Sequence, residues 1–339
     1  MYILLAIFIF GFLVFIHELG HYITARIFNV HVIEFALGMG PKLFSWTSKK
    51  TGIVYSWRLL PIGGFVSMAG EDGESDDERA LQKKPVWQRI IIISAGAVMN
   101  ILLGIILSFV MVVSSPAIGS NVVAQFDENA ASDDYGLMVG DKICSINGAQ
   151  TAISTQVVYE IGRCTNGPVD IKILRDGSEL VIKDVVFGQT TDSGIVFGVC
   201  DFKISAEEKN VPNILKHTWH TSVLSAKMVW QSLIDLISGK YTMEAVSGPV
   251  GITGTMTEVA KESTVSLIYL SSIIAINLGI CNLLPIPALD GGRLVFQFIE
   301  LIFRRPVNRK IEAYIHTAGI VVLLFFMLLI TFKDVVNLF

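Results

Sequence analysis

The chain has 339 residues, of which 52% are apolar and only 17% charged, and its mean hydropathy is +0.59. That balance excludes an ordinary soluble globule and points to a polytopic membrane protein with a sizeable polar insert. The formal net charge of -4 carries little information because charge is unevenly placed. The four cysteines, Cys144, Cys164, Cys200 and Cys281, show no CxxC spacing and so suggest neither a metal framework nor a disulfide scaffold.

The first predicted element covers 1–28. Residues 2–16 read YILLAIFIFGFLVFI without a charge, and HELGH follows at once at 17–21. The N-terminus lacks the basic region and the small-residue cleavage site of a secretory signal, so this helix is expected to stay attached. Ionisable groups inside an apolar helix are costly and usually mark function. On a helix, His17 and His21 lie four residues apart on one face, so both imidazoles can reach one zinc ion while Glu18 is placed as general base. The competing explanation is a histidine pair satisfied by neighbouring helices.

Three further segments are long and apolar enough to span, given that about 20 apolar residues are needed. They are 90–113, 265–292 and 316–335. In the second, Ala95, Gly96, Ala97 and Gly104 allow close helix packing. Its Asn100 is either an interhelical hydrogen-bonding group or a site residue, and the first is favoured. The loops after spans one and three are rich in Lys and Arg, which by the positive-inside rule makes both cytoplasmic. Both termini and the long insert between spans two and three are then extracytoplasmic.

Within the first loop, 29–89, residues 43–46 and 53–60 read as two short strands around the Lys49-Lys50-Thr51-Gly52 turn. LPIGGFVSM at 60–68 follows, and it is either a strand dipping into the membrane beside the first helix or part of a soluble hairpin. The acidic run at 71–78 reads as a solvated loop. In the insert, short strands alternate with Gly and Asp turns, and GLMVGDKICSINGAQ at 136–150 resembles the PDZ signature. A PDZ-like domain over 118–205 would bind an extended peptide at a sheet edge near 118–124, or serve only as a spacer or gate. An amphipathic helical region is expected over 206–262, with His217 and His220 on its polar face rather than as ligands.

The third span supplies the other half of a site. AINLGICNLLPIPALDGGRL at 275–294 carries Asn277, Asn282, two prolines and Asp290. Pro285 and Pro287 must break the helix, and broken backbone at membrane depth belongs where it lines a cavity. The topology brings Asp290 to the same leaflet as His17 and His21, and three protein ligands are the usual count for catalytic zinc.

HELGH together with NLLPIPALDGG resembles the site-2 proteases, intramembrane zinc metalloproteases, in their bacterial RseP/RasP type (regulator of sigma factor protease) with one PDZ domain. GGFVSM after a first-loop hairpin and GPVGI before the third span match as well, and the resemblance covers nearly the whole chain. It implies His17, His21 and Asp290 as zinc ligands and Glu18 as catalytic glutamate. It also implies substrate contacts from Asn282 and Asn277, and a membrane re-entrant β-loop at Gly63, Gly64 and Phe65 that pairs with extended substrate.

The expected fold is therefore a polytopic α-helical membrane protein with four transmembrane helices. It adds a membrane-associated β-hairpin or re-entrant loop and an inserted extracytoplasmic PDZ-like α+β domain, with a cytoplasmic loop at 293–315. The expected activity is zinc-dependent hydrolysis of peptide bonds within or near the spans of single-span membrane proteins in the plasma membrane. Anti-sigma-factor-like proteins or signal-peptide remnants are the implied substrates, a peptide at the PDZ-like groove is a further implied partner, and no nucleic acid is expected. A metal transporter would show internal repeats, which are not evident, and a proteolytically dead PDZ scaffold would not need Glu18.

Overall fold

The uncharged run at the N-terminus folds as α1 (Tyr2–Ile27), which ends where Asn29 turns left-handed at φ 53° and Val30 N–H returns to the Ala25 carbonyl. This computed structural model describes residues 2–71, 73, 75–165, 167–192, 195–240 and 246–336. It divides into two units, residues 1–107 with 246–339 and residues 108–245.

In the first unit α1 is followed by β1 (Val32–Thr47) and β2 (Val54–Met68), then by α2 (Val86–Ser114), which continues into the second unit. After the insert come α5 (Pro249–Glu262), α6 (Thr264–Leu283), α7 (Asp290–Phe303) and α8 (Arg309–Val336). Among the described residues, four helices are long and apolar enough to cross a bilayer: α1, α2, α6 and most of α8. Ala6, Leu13, Met256, Leu267, Ile274 and Ala275 form the buried seam joining α1, α5 and α6. Small residues bring α2 and α6 together, since Ser272 Oγ donates to the Gly104 carbonyl at 2.8 Å. By contrast, α8 turns Val322, Phe325 and Leu328 outward, as a lipid-facing helix would.

The third span differs from the expectation. Leu284 precedes a proline and is forced extended (ψ 146°), so α6 stops at Leu283. Pro285 and Pro287 lie in the turn that follows, and Asp290 opens a separate helix, α7, reaching well into the expected 293–315 loop. The expected 206–262 region also divides. Gly248-Pro249 starts α5, with Pro249 in its first turn, and α5 packs in the first unit.

The first loop is a larger sheet than two short strands. β1 runs through the Gly38–Pro41 region, with Gly38 and Gly40 at positive φ, and β2 takes in the whole 60–68 stretch. Residues 42–47 pair with 54–58, residues 34–37 pair both with 54–57 and with 64–67, and Val32 pairs with Met68. The two strands thus fold into four ladder segments, with 64–68 at one border. Phe35, Ile53, Val66, Met68, Leu81 and Ile92 bury this sheet against the end of α1 and the start of α2. Glu34 binds three segments together: it accepts from Ser56 Oγ at 2.6 Å, Arg58 Nη2 at 2.9 Å and Lys42 Nζ at 3.0 Å. Arg58 in turn lies over the Phe65 ring at 4.7 Å.

In the second unit, β3 (Ile118–Phe126), β4 (Lys142–Ile146), β6 (Val169–Arg175), β7 (Ser178–Val185) and β10 (Phe202–Glu207) form one sheet in the order β10-β3-β4-β6-β7. β5 (Ala149–Gln150) adds to β4, and β8 (Gln189–Asp192) pairs with β9 (Ile195–Gly198). α3 (Ser154–Gly162) closes the core of Val123, Ile143, Ile146, Val157, Ile171 and Phe202. The expected peptide edge at 118–124 is not an edge, because β10 covers one side of β3 and β4 meets the other. α4 (Val211–Ile237), capped by Asn210, packs on α3 through Lys227–Glu160 and Arg163–Asp235 ion pairs at 2.5 and 2.7 Å. His217 is not a polar-face residue: it is 5% exposed, and its Nε2 is paired with Glu207 at 2.8 Å.

Burial alone would raise the Glu34 carboxyl, but the bonds from Ser56, Lys42 and Arg58 outweigh it and hold the pKa down to about 2 from the ordinary 4.5. A depressed carboxyl stabilises the fold above its unfolded pKa and loses that contribution as the pH falls through its folded value. Glu34→Gln is therefore expected to lower the thermal midpoint at neutral pH by about 2–4 °C. In thermal scans across pH, the gap to wild type should close between about pH 4.5 and 2.

Candidate active site

One turn of α1 separates His17 from His21, which sets both rings on the same face; both residues are buried. α2 passes close beside them at Gly96. A Cβ built there would stand 2.8 Å from His17 Cε1 and closer still to His21 Nε2, so only glycine leaves room for the two rings. His21 Nδ1 donates to the Ile92 carbonyl at 2.8 Å. That fixes the proton on Nδ1 and leaves the Nε2 lone pair pointing inward.

Asp290 arrives from the other end of the chain. The turn 284–289 is held by the Leu289 N–H to Ile286 carbonyl bond and by Ala288, whose N–H donates to His316 Nδ1 of α8 at 3.3 Å. Ala288 sits at φ 82°, an uncommon setting for a residue with a side chain. At the start of α7 the Asp290 carboxylate then faces the histidines. Its Oδ2 lies 3.1 Å from His17 Nε2 and 3.2 Å from His21 Nε2, and the two Nε2 atoms are 3.2 Å apart.

The triangle fits a zinc ion. Four ligands at about 2.0–2.1 Å around zinc stand roughly 3.3 Å from one another, close to the three separations here. Lone-pair atoms at such distances repel unless a proton or a cation lies between them. Asp290 Oδ2 is buried and makes no geometrically sound hydrogen bond among the described residues. Two imidazole nitrogens and one carboxylate oxygen are also a donor set suited to zinc.

A cavity of about 300 Å³ opens on this triangle, lined by His17, Glu18, His21, Phe65, Asp290 and Arg293 among others. Gly64 packs beside Glu18, because a Cβ there would be 3.5 Å from Glu18 Cγ. The border segment 64–68 of the hairpin thus runs past the glutamate, and Gly63 turns the chain into it at φ 85°. Asn282 and Asn277 are not among the residues lining the cavity. Asn277 is exposed on α6, where its Oδ1 accepts from Cys281 Sγ at 3.0 Å.

Several wall residues escaped the sequence reading. Glu71, read as part of a solvated acidic run, lines the cavity and is paired with Arg293 at 2.6 Å. Arg293, at the start of the expected 293–315 loop, instead lies one helical turn beyond Asp290 on α7. Gly96 and the Ile92 carbonyl carry no motif. Asn100, favoured as an interhelical group, reaches the His17 ring.

The model of peptidase family M50 matches residues 5–326. The chain belongs to peptidase family M50. A protein of Fusobacterium nucleatum, whose name carries the words zinc metalloprotease, is 35% identical over 99% of both chains. The regulator of sigma-W protease RasP of Bacillus subtilis is 32% identical over 98% of both, and the zinc metalloprotease RasP of Bacillus licheniformis is 31% identical over 98% of both. This M50 member is thus a membrane zinc metalloprotease of the site-2 protease family, and zinc is its cofactor.

Because Gly96 makes the space for the two rings, Gly96→Ala is expected to displace them and reduce bound zinc from about one per chain to a small fraction. Elemental analysis of the purified full chain checks this, and unchanged helix content by circular dichroism shows that the effect is local.

Proposed function

We propose that this protease cleaves peptide bonds within or near the membrane span of single-span proteins, with His17, His21 and Asp290 holding zinc and Glu18 as the catalytic base. The observation that carries the reading is the convergence of those three ligand atoms within 3.2 Å of one another, next to Glu18 in one cavity. Zinc held there would supply a Lewis acid that polarises the scissile carbonyl and makes water a stronger acid. Glu18 takes the proton from the attacking water and passes it to the leaving amine. Its place on the wall of the same cavity as the three ligand atoms supports that role.

A helical span hides its peptide bonds, so substrate must be extended at the site. The segment 64–68 is suited to hold it that way. It is the border ladder of the hairpin and lies against Glu18, so a substrate strand added along it would bring its carbonyls past the zinc. Gly63, Gly64 and Phe65 would form this binding edge. Asn282 and Asn277 lie on α6 and are not among the residues lining the cavity; their proposed contact with substrate rests on the family motif alone.

Charge along the chain supports cytoplasmic loops after the first and third spans, and hence an active site toward the cytoplasmic leaflet of the plasma membrane. On that reading both termini and the second unit are extracytoplasmic. The second unit is proposed as a PDZ-like domain over 118–205 that admits or excludes substrate ectodomains. The limits 1–28, 29–89, 90–113, 118–205 and 316–335 follow from the same topology, whereas 206–262 divides before α5 and the expected 265–292 span and 293–315 loop are replaced by α6 and α7. The relative named for regulating sigma-W supports an anti-sigma-factor-like substrate, and signal-peptide remnants offer the same kind of single span.

Glu18→Gln is expected to abolish cleavage of a single-span substrate in reconstituted vesicles, by at least about 100-fold, while zinc content stays at wild-type level. Normal turnover by that variant would remove Glu18 from the mechanism.

A further inference from the structure

His21 has its acceptor, the Ile92 carbonyl, and this fixes which nitrogen faces the triangle. His17 has the same need. Its Nε2 points at Asp290 Oδ2 and His21 Nε2, so for that nitrogen to offer a lone pair to a metal the ring proton must sit on Nδ1. An Nδ1–H buried among helices requires an acceptor. The group beside His17 Nδ1 is the side-chain amide of Asn100, with Nδ2 at 3.5 Å. Asn100 is 1% exposed, and its Oδ1 is buried without a hydrogen-bond partner among the described residues.

The two ends of an amide have nearly the same shape, and which is oxygen is decided by the surrounding hydrogen bonds. In the present orientation an N–H donor faces a nitrogen that must itself be a donor in the metal-binding tautomer, and the oxygen faces nothing. A half turn about the Cβ–Cγ bond brings Oδ1 to His17 Nδ1 and trades two mismatches for one.

We propose that Asn100 is the positioning residue for His17: its Oδ1 accepts the Nδ1 proton and so selects the ring tautomer whose Nε2 binds zinc. This rests on His17, His21 and Asp290 being the metal site. The two histidines then have matching supports from one helix, a backbone carbonyl at Ile92 and a side-chain carbonyl at Asn100, two helical turns apart on α2.

The test is zinc affinity of the purified full chain in detergent, measured by competition with a chromophoric chelator. Asn100→Leu keeps the branching and the number of heavy atoms but offers no acceptor, and it should weaken zinc binding about 10–100-fold. Asn100→Asp restores an acceptor and should bind within about threefold of wild type, or tighter. A purely structural role would give the reverse order, since a buried carboxylate disturbs packing more than leucine does. Wild-type affinity in Asn100→Leu overturns the proposal. If that variant does not fold, a loss beyond about tenfold in Asn100→Asp overturns it alone. If instead wild type shows no saturable zinc site, or His17→Ala binds zinc as wild type does, the metal-site reading fails, and the role of Asn100 falls with it.

Discussion

Three electron-pair donors, His17 Nε2, His21 Nε2 and Asp290 Oδ2, stand within 3.2 Å of one another in a buried place. Without a cation such an approach is repulsive, and the surrounding structure is arranged to hold it. One turn of α1 sets the first two atoms in line. The third needs the chain to stop a membrane helix, reverse, and start another. Pro285 and Pro287 end α6, and Ala288 accepts a left-handed backbone stabilised by His316. α2 then closes on the histidines, which is possible because residue 96 has no side chain.

The same constraint explains the first loop. A metal-activated water needs a substrate held still, and a helix in lipid offers no free backbone to hold. On the proposed reading the hairpin supplies one. Its stiffness comes from Glu34, whose carboxylate joins three ladder segments, and Arg58 extends that network over Phe65 at the cavity wall. Just beyond β2, Glu71 pairs with Arg293 on α7, so the chain that carries the proposed substrate edge is tied to the helix that carries Asp290. Rigid coupling between the proposed binding edge and the helix that carries Asp290 is what a site of fixed geometry requires.

Much of this was legible in the chain. Long apolar runs made the four membrane helices plain, and HELGH and LDGG announced themselves because ionisable residues in such runs need a reason. What stayed hidden depended on partners distant in sequence. Glu71 looks like any residue of an acidic loop until Arg293 is placed beside it. His217 reads as a helix surface residue, yet Glu207 draws it into a buried pair. β10 pairs along β3 from a distant part of the chain, and that pairing removes the sheet edge expected at 118–124. β1 passes through Gly38 and Gly40, which a sequence pattern marks only as chain breakers, by taking positive φ there. Asn100 illustrates the limit most clearly: its interhelical placement was foreseen, but that it meets the His17 ring follows only from helix packing.

Whether the triangle holds zinc can be read from X-ray absorption at the zinc edge, on the full chain loaded with one equivalent of the metal. Ligation by His17, His21 and Asp290 gives a first shell of two imidazole nitrogens and light oxygen ligands at about 2.0–2.1 Å, with four ligands in all. A sulfur ligand at about 2.3 Å, or a shell containing fewer than two imidazoles, would contradict that ligation.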